Sequence, residues 1–199
     1  MKKASLIALL FMMAMTVFAQ EEDFSFPVKY KGKSPAISDF IVALVSNDNA
    51  GEYLSYIGRQ WDLFQRNKQH EGHFTVLKTH NGYVRYEETE DDKYFVTEFR
   101  YWNCSDNSNK IVAVSSRSYE NGVAFDGQYG GLALYVYNGQ THRMDMLSIG
   151  EVEHPDVNTF LDYMLPVEGD DITATANDPE KGECRFVYKW NGNGFTLQK

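Results

Sequence analysis

An α+β fold is what this chain of 199 residues predicts: a curved, mostly antiparallel β-sheet meander packed by an N-terminal helix hairpin and one later helix. Three observations carry the expectation. Apolar residues recur at helical spacing up to about residue 65 and then alternate one-on, one-off from His73 onward. Asn-Gly pairs, the strongest short hairpin signal, stand between the alternating runs. Aromatic residues, favoured on the pleated, half-buried surface of a sheet, make up 15% of the chain.

The elements follow in order. Residues 20–35 read as an irregular lead-in, and residues 36–199 as a single α+β domain. Ser34-Pro35 supplies an N-cap oxygen and a proline where a helix needs no N–H. Ile37, Phe40, Ile41, Leu44 and Val45 then form one apolar stripe. Asn49, with Glu52 three residues on, resembles a capping box for a second helix, whose stripe is Leu54, Ile57, Trp61 and Phe64. Strands are expected at 73–79 and 83–90 around Asn81-Gly82, at 94–102, and at 110–119. With two central residues in each turn, Leu77 faces Tyr86, Val84 faces Phe99, Tyr86 faces Thr97 and Arg85 faces Glu98. Residues 120–131 read as a glycine-bearing loop. A hairpin is expected at 132–137 and 141–149 around Asn138-Gly139, and a third helix at 155–165, with Val157, Phe160, Leu161 and Met164 on one face and Pro166 as its stop. Strands near 172–176, 183–190 and 195–198 close the chain, giving eight or nine in all. Tyr101-Trp102-Asn103, Val136-Tyr137-Asn138-Gly139 and Lys189-Trp190-Asn191-Gly192 each end a strand with an aromatic before an Asn turn, at intervals too irregular for a repeat. Helices followed by a bent meander resemble cystatin-like and NTF2-like domains in pattern, which confers no function.

The first nineteen residues have the three parts of a secretory signal peptide. Lys2 and Lys3 form the basic end, Leu6 to Phe18 the apolar run, and Val17 and Ala19 the small residues before a cleavage site. The apolar run falls short of the ~20 residues that span a bilayer comfortably. No cysteine follows the site to take a lipid anchor. A periplasmic or secreted chain, not embedded in a membrane after cleavage, is the expectation. The close of the signal at Phe18-Ala19-Gln20, the Asn-Gly hairpins, and Lys189-Trp190-Asn191-Gly192-Asn193-Gly194-Phe195 resemble small exported proteins of unknown function from Gram-negative anaerobes. That resemblance carries no catalytic residue across.

Composition sets further limits. Nineteen basic against 28 acidic side chains give a formal net charge of −9. Phosphate backbones are held by cationic faces, so a nucleic-acid partner is not expected. Cys104 and Cys184 are an even count in a compartment that permits disulfides, and a bridge and two free thiols both remain open. His70, His73 and His80 offer three imidazoles to a metal, the donor set of a catalytic zinc site, although Gly72 argues against a helix holding the first two. Five carboxylates at 87–92 read as a solvated turn. There is no nucleophile elbow, phosphate loop or dinucleotide fingerprint, so no catalytic residue and no cofactor is assigned.

Arg85, Glu98 and Arg100 project from one face of the expected meander, with Arg117 beside them. A concave, covered face would present guanidinium forks to an acidic ligand. An open face would carry exposed cross-strand ion pairs, and the open face is the preferred reading. Tyr83, Tyr94, Trp102, Tyr135, Tyr137 and Trp190 are candidates for a stacking platform or for sheet packing. The functional expectation is an exported, non-catalytic binding or interaction module for a glycan, a peptide or an envelope protein. Its site would lie on the sheet face or the 120–131 loop, with Arg85, Glu98, Arg100, Trp102, Arg117 and Tyr129 as ligand-binding residues. The alternatives are a metal-assisted hydrolase of envelope or dietary polymers using His70, His73 and His80, and an inhibitor or immunity-like protein.

Overall fold

Two short helices and twelve strands make three layers in the computed structural model, which describes residues 25–47, 51–66, 73–125, 131–147 and 153–198. The signal-like segment lies outside the described residues. The helices are α1 (Ile37–Val45) and α2 (Gly51–Gln65). Ala36, not Ser34, caps α1, and the Asp39 carboxylate accepts the Ala36 N–H at 2.8 Å. Asn49, the expected cap of α2, lies outside the described residues. Ile37, Phe40, Ile41 and Leu44 of α1, with Ile57 and Trp61 of α2, are buried as their spacing requires. The helices pack closely where Gly58 meets Val45, and a Cβ at Gly58 would stand 2.4 Å from the valine Cβ.

The helices cover one face of an eight-stranded antiparallel sheet. Its strands are β1 (Ser25–Pro27), β2 (His73–Lys78), β3 (Tyr83–Glu90), β4 (Lys93–Asn103), β5 (Lys110–Glu120), β6 (Val123–Phe125), β7 (Gly131–Asn138) and β8 (Arg143–Met146). The order is β1-β8-β7-β5-β4-β3-β2, with β6 folding back on the far end of β5. Val84, Tyr86, Phe99, Val112, Val114, Tyr137 and Met144 meet the helices in one core. The β3–β4 register is the expected one: Val84 opposes Phe99, Arg85 opposes Glu98 and Tyr86 opposes Thr97.

The register of β2 differs. Thr79–Asn81 form a 3-10 turn closed by Gly82 at φ 70°, so four residues rather than two connect the strands, and Leu77 opposes Val84 instead of Tyr86. A bulge between Phe74 and Val76 then restores Phe74 to the helix side, opposite Tyr86. The lead-in is also partly regular, since β1 pairs with β8 from Ser25↔Asp145 to Pro27↔Arg143. Tyr30 joins it to the same hairpin through hydrogen bonds with His142 and Tyr137.

The second face of the large sheet is covered too. A four-stranded sheet, β9 (Asp162–Met164), β10 (Ile172–Asp178), β11 (Gly182–Trp190) and β12 (Phe195–Gln198), lies across it in the order β12-β11-β10-β9. Leu161, Leu165, Ile172, Ala174, Tyr188 and Leu197 pack there against Tyr83, Trp102, Ile111, Ala113 and Leu134. The helix expected at 155–165 does not form. The Asp178 carboxylate takes the Asn158 N–H at 2.8 Å, and residues 162–164 pair with β10. Hydrogen bonds to distant partners win over local apolar spacing.

Candidate functional site

Strand β4 places Glu98, Arg100 and Trp102 on the side facing the second sheet, and all three are buried. This corrects the expectation of a solvated face. Each of the three reaches the backbone of one crossing segment: Glu98 Oε2 accepts the Leu165 N–H at 3.0 Å, the Arg100 guanidinium donates to the carbonyls of Pro166 and Gly169, and Trp102 Nε1 donates to the Asp170 carbonyl at 3.0 Å. Side chains two residues apart on a strand point the same way, so one strand clamps residues 165–170 along its length.

The expected ligand-binding residues divide into two groups. Glu98 and Arg117 come together with Tyr83 in the interior, and the half-buried Arg85 approaches them from the edge. Glu98 Oε1 accepts from Tyr83 Oη at 2.7 Å and pairs with Arg117 Nη2 at 3.1 Å, with Arg85 Nη1 at 4.0 Å. Arg85 also pairs with Glu87, which accepts from Tyr94 Oη at 2.5 Å. Burial opposes ionisation of Glu87, but hydrogen bonds from Tyr94 and Thr75 and the Arg85 charge hold its pKa below the ordinary range. Burial, then the Glu98 charge, pushes the Tyr83 phenol far up, so it stays a donor. Two guanidinium groups face two carboxylates here, which leaves little field for an acidic ligand.

Arg100, which opposes Tyr83, and Trp102 follow Glu98 along β4 toward Asn103, beside an open cleft of about 270 Å³ lined by His80, Asn81, Arg100, Tyr101, Trp102, Asn103, Asp170 and Trp190. Arg100 forms part of the wall: besides its two carbonyls it meets Asp170 at 3.3 Å and lies 5.0 Å over the Trp102 ring. Burial lowers its pKa, opposed by the Asp170 charge. Trp102 is core, stacked behind the half-buried Trp190 at 6.0 Å, while Phe195 meets it edge-on at 4.9 Å. The groups left to face a ligand are the Trp190 indole, the mostly exposed Asp170 carboxylate, and the exposed Asn81, Asn103 and His80.

The aromatic-then-Asn turns, scattered in sequence, converge at this end. The loop after β4 is tied to the β11–β12 turn, with Ser105 N donating to Gly192 O at 2.8 Å, and to the β7–β8 turn, with Gly139 N donating to Asn109 Oδ1 at 3.0 Å. Gly139 has no room for a side chain, because a Cβ would stand 2.3 Å from the Ser108 carbonyl oxygen. This spatial convergence, more than any single residue, is what a linear reading misses.

The two described histidines of the trio are not brought together. His73 begins β2 and His80 lies in the turn after it, so the strand separates them by ~20 Å at ~3.3 Å per residue. His70 lies outside the described residues, and among those described no group of three or more His, Cys, Asp or Glu side chains is placed to hold a metal. Cys104 and Cys184 are free thiols, the first buried and the second half-buried. Cys104 follows the β4 end that meets Trp190, whereas Cys184 lies six residues back along β11, ~20 Å away. Tyr129 and most of the 126–131 stretch fall outside the described residues. At 123–125 the expected loop is strand β6, paired with β5.

The fold and the cleft define an α+β domain of three layers with an aromatic- and amide-lined site at one end. No protein-family model, no curated protein and no solved structure matches this chain.

Proposed function

We propose that this chain is an exported, non-catalytic binding module for a neutral glycan, held in the cleft at Trp190, Asp170, Asn81 and Asn103. The carrying observation is the combination in that cleft of a half-buried indole with a mostly exposed carboxylate and two exposed amides. A sugar ring has a face of C–H groups that stacks on an aromatic ring, and a rim of hydroxyls that needs both donors and acceptors. Asp170 and the Asn81 carbonyl accept, and the asparagine amides and the Trp190 N–H donate, while the Asn103 carbonyl is held by the Lys110 ammonium. The volume, near the lower end for ligand sites, suits one or two sugar rings.

Neutrality follows from the arginines. Arg100 is committed to the wall of the cleft, Arg117 is paired with Glu98 inside the molecule, and the half-buried Arg85 is paired with Glu87. The basic end, apolar run and Ala19 of the N-terminal segment support export to the periplasm or beyond.

Titration of neutral oligosaccharides against the mature chain, followed by tryptophan fluorescence, tests this reading. Trp190→Ala is expected to weaken binding at least tenfold, and Asn81→Ala severalfold. Full affinity in both variants, or tighter binding of acidic than of neutral sugars, overturns it.

A further inference from the structure

On the far side of the β11–β12 turn from the glycan cleft lies a second groove of about 270 Å³, lined by Ile111, Leu134, Val136, Leu147, Asn191, Asn193, Gly194 and Phe195. The two share a wall. Trp190 lines the cleft and Phe195 the groove, their rings are 5.1 Å apart, and Trp102 packs behind both. The linings differ in charge and in apolar share. The cleft carries His80, Arg100 and Asp170, whereas the groove has no ionisable side chain.

The polar groups at the rim of the groove are largely spent. Asn191 Oδ1 accepts the N–H groups of Asn193 and Gly194, both at 3.0 Å, and its amide donates to Thr196 Oγ1 at 3.3 Å. Asn193 Oδ1 accepts from Ser105 N at 3.3 Å. A polar occupant would therefore leave most of its hydrogen bonds unmade, at a cost in affinity. An apolar one would cover Val136, Leu147 and Phe195, which are only half-buried. A third cleft, at the opposite end of β10 and β11, sets Val123, Ala124, Phe160 and Ala176 beside Asp162 and Glu183, so two carboxylates interrupt its apolar lining, and it lies away from the glycan cleft.

From the shared wall and the contrast across it, we infer that the groove takes the hydrocarbon tail of the same ligand whose sugar lies in the cleft. The ligand class is then an amphiphilic glycoconjugate, a sugar carrying an alkyl or acyl chain that passes over the Asn191–Gly194 turn. This inference rests on the glycan reading of the cleft, and the experiment separates the two.

The probes are methyl, butyl, hexyl and octyl glycosides of glucose, galactose and N-acetylglucosamine, each below its micelle concentration, titrated calorimetrically into the mature chain. With at least one headgroup, affinity is expected to rise about two- to fourfold per added methylene until the groove is full, as burial of hydrocarbon requires. Leu147→Asp is expected to remove that chain-length dependence and leave methyl glycoside binding intact, while Trp190→Ala weakens every member of the series. Equal affinity for methyl and octyl glycosides overturns the tail site and leaves the cleft reading standing. An undiminished chain-length dependence in Leu147→Asp places the tail elsewhere and also overturns it. Failure of all three headgroups at every chain length overturns both readings.

Discussion

Replacing Glu98 with Gln tests the central electrostatic feature of the molecule. The carboxylate is 3% exposed, and its partner Arg117 is 6% exposed. Glutamine keeps the volume and one acceptor, but removes the charge facing Arg117 and Arg85 and breaks the reciprocal match with Tyr83 and the Leu165 N–H. Removing one member of a buried ion pair leaves the other charge desolvated and costs about 3–5 kcal/mol. For a chain of this size that corresponds to a fall in melting temperature of roughly 6–20 °C, at ~2–4 °C per kcal/mol. Urea titration of the wild-type chain, Glu98→Gln, Arg117→Gln and the double variant provides the assay. The double variant is expected to be more stable than the sum of the single losses by about 1–3 kcal/mol, because both charges leave together. A Glu98→Gln loss below about 1 kcal/mol, or strictly additive singles, would refute the reasoning.

Three further outcomes are expected. Gly58→Ala should destabilise by about 1–3 kcal/mol in thermal melts despite alanine's better helix propensity, because the new Cβ meets Val45, and Val45→Ala in the same chain should recover most of the loss. Burial raises the pKa of Asp162 against the opposing pull of Arg117, so the native state holds this proton more tightly than the unfolded chain. Stability from this group therefore falls as pH rises from about 4 through the raised value. Asp162→Asn should melt higher than wild type at pH 7, with the difference vanishing below pH 4; lower stability at pH 7 would count against it. Finally, a thiol reagent should modify Cys184 in the native chain and Cys104 only after unfolding, since Cys104 is buried and burial, then the charge of Asp106, raises its thiol pKa.

Much of the large sheet was legible in the sequence because its signals are local. The Glu90–Lys93 turn joins strands of matched alternation, and addition across it gives the observed partners of Val84, Arg85 and Tyr86. The same addition failed across Asn81-Gly82, where a 3-10 turn takes two more residues than a tight hairpin. Val157, Phe160, Leu161 and Met164 have helical spacing, but Asp178, twenty residues beyond Asn158, and β10 decide their conformation. Burial of the arginine face was illegible for a related reason. A charged alternate row looks the same in sequence whether water or a second sheet faces it, and only the long-range pairing of Glu98 with Arg117 and Leu165 distinguishes the two. At the candidate site, Arg100 and Trp102 were found, but as wall rather than contact. Asp170 was missed because it belongs to a segment with no periodic signal.

The clamp on residues 165–170 has a consequence for how this molecule can change over generations. Glu98, Arg100 and Trp102 grip main-chain atoms of Leu165, Pro166, Gly169 and Asp170. Leu165 and Val167 also pack into the core, but Glu168 and Asp170 are exposed, and Asp170 adds a single contact to Arg100. The rim of the cleft is thus anchored by features common to nearly every amino acid. Its outward residues are free to drift, duplicate or be reshuffled while the attachment persists, much as interchangeable bits fit one chuck. Sister proteins sharing those three inward residues of β4 would be expected to keep the architecture and differ in what they recognise.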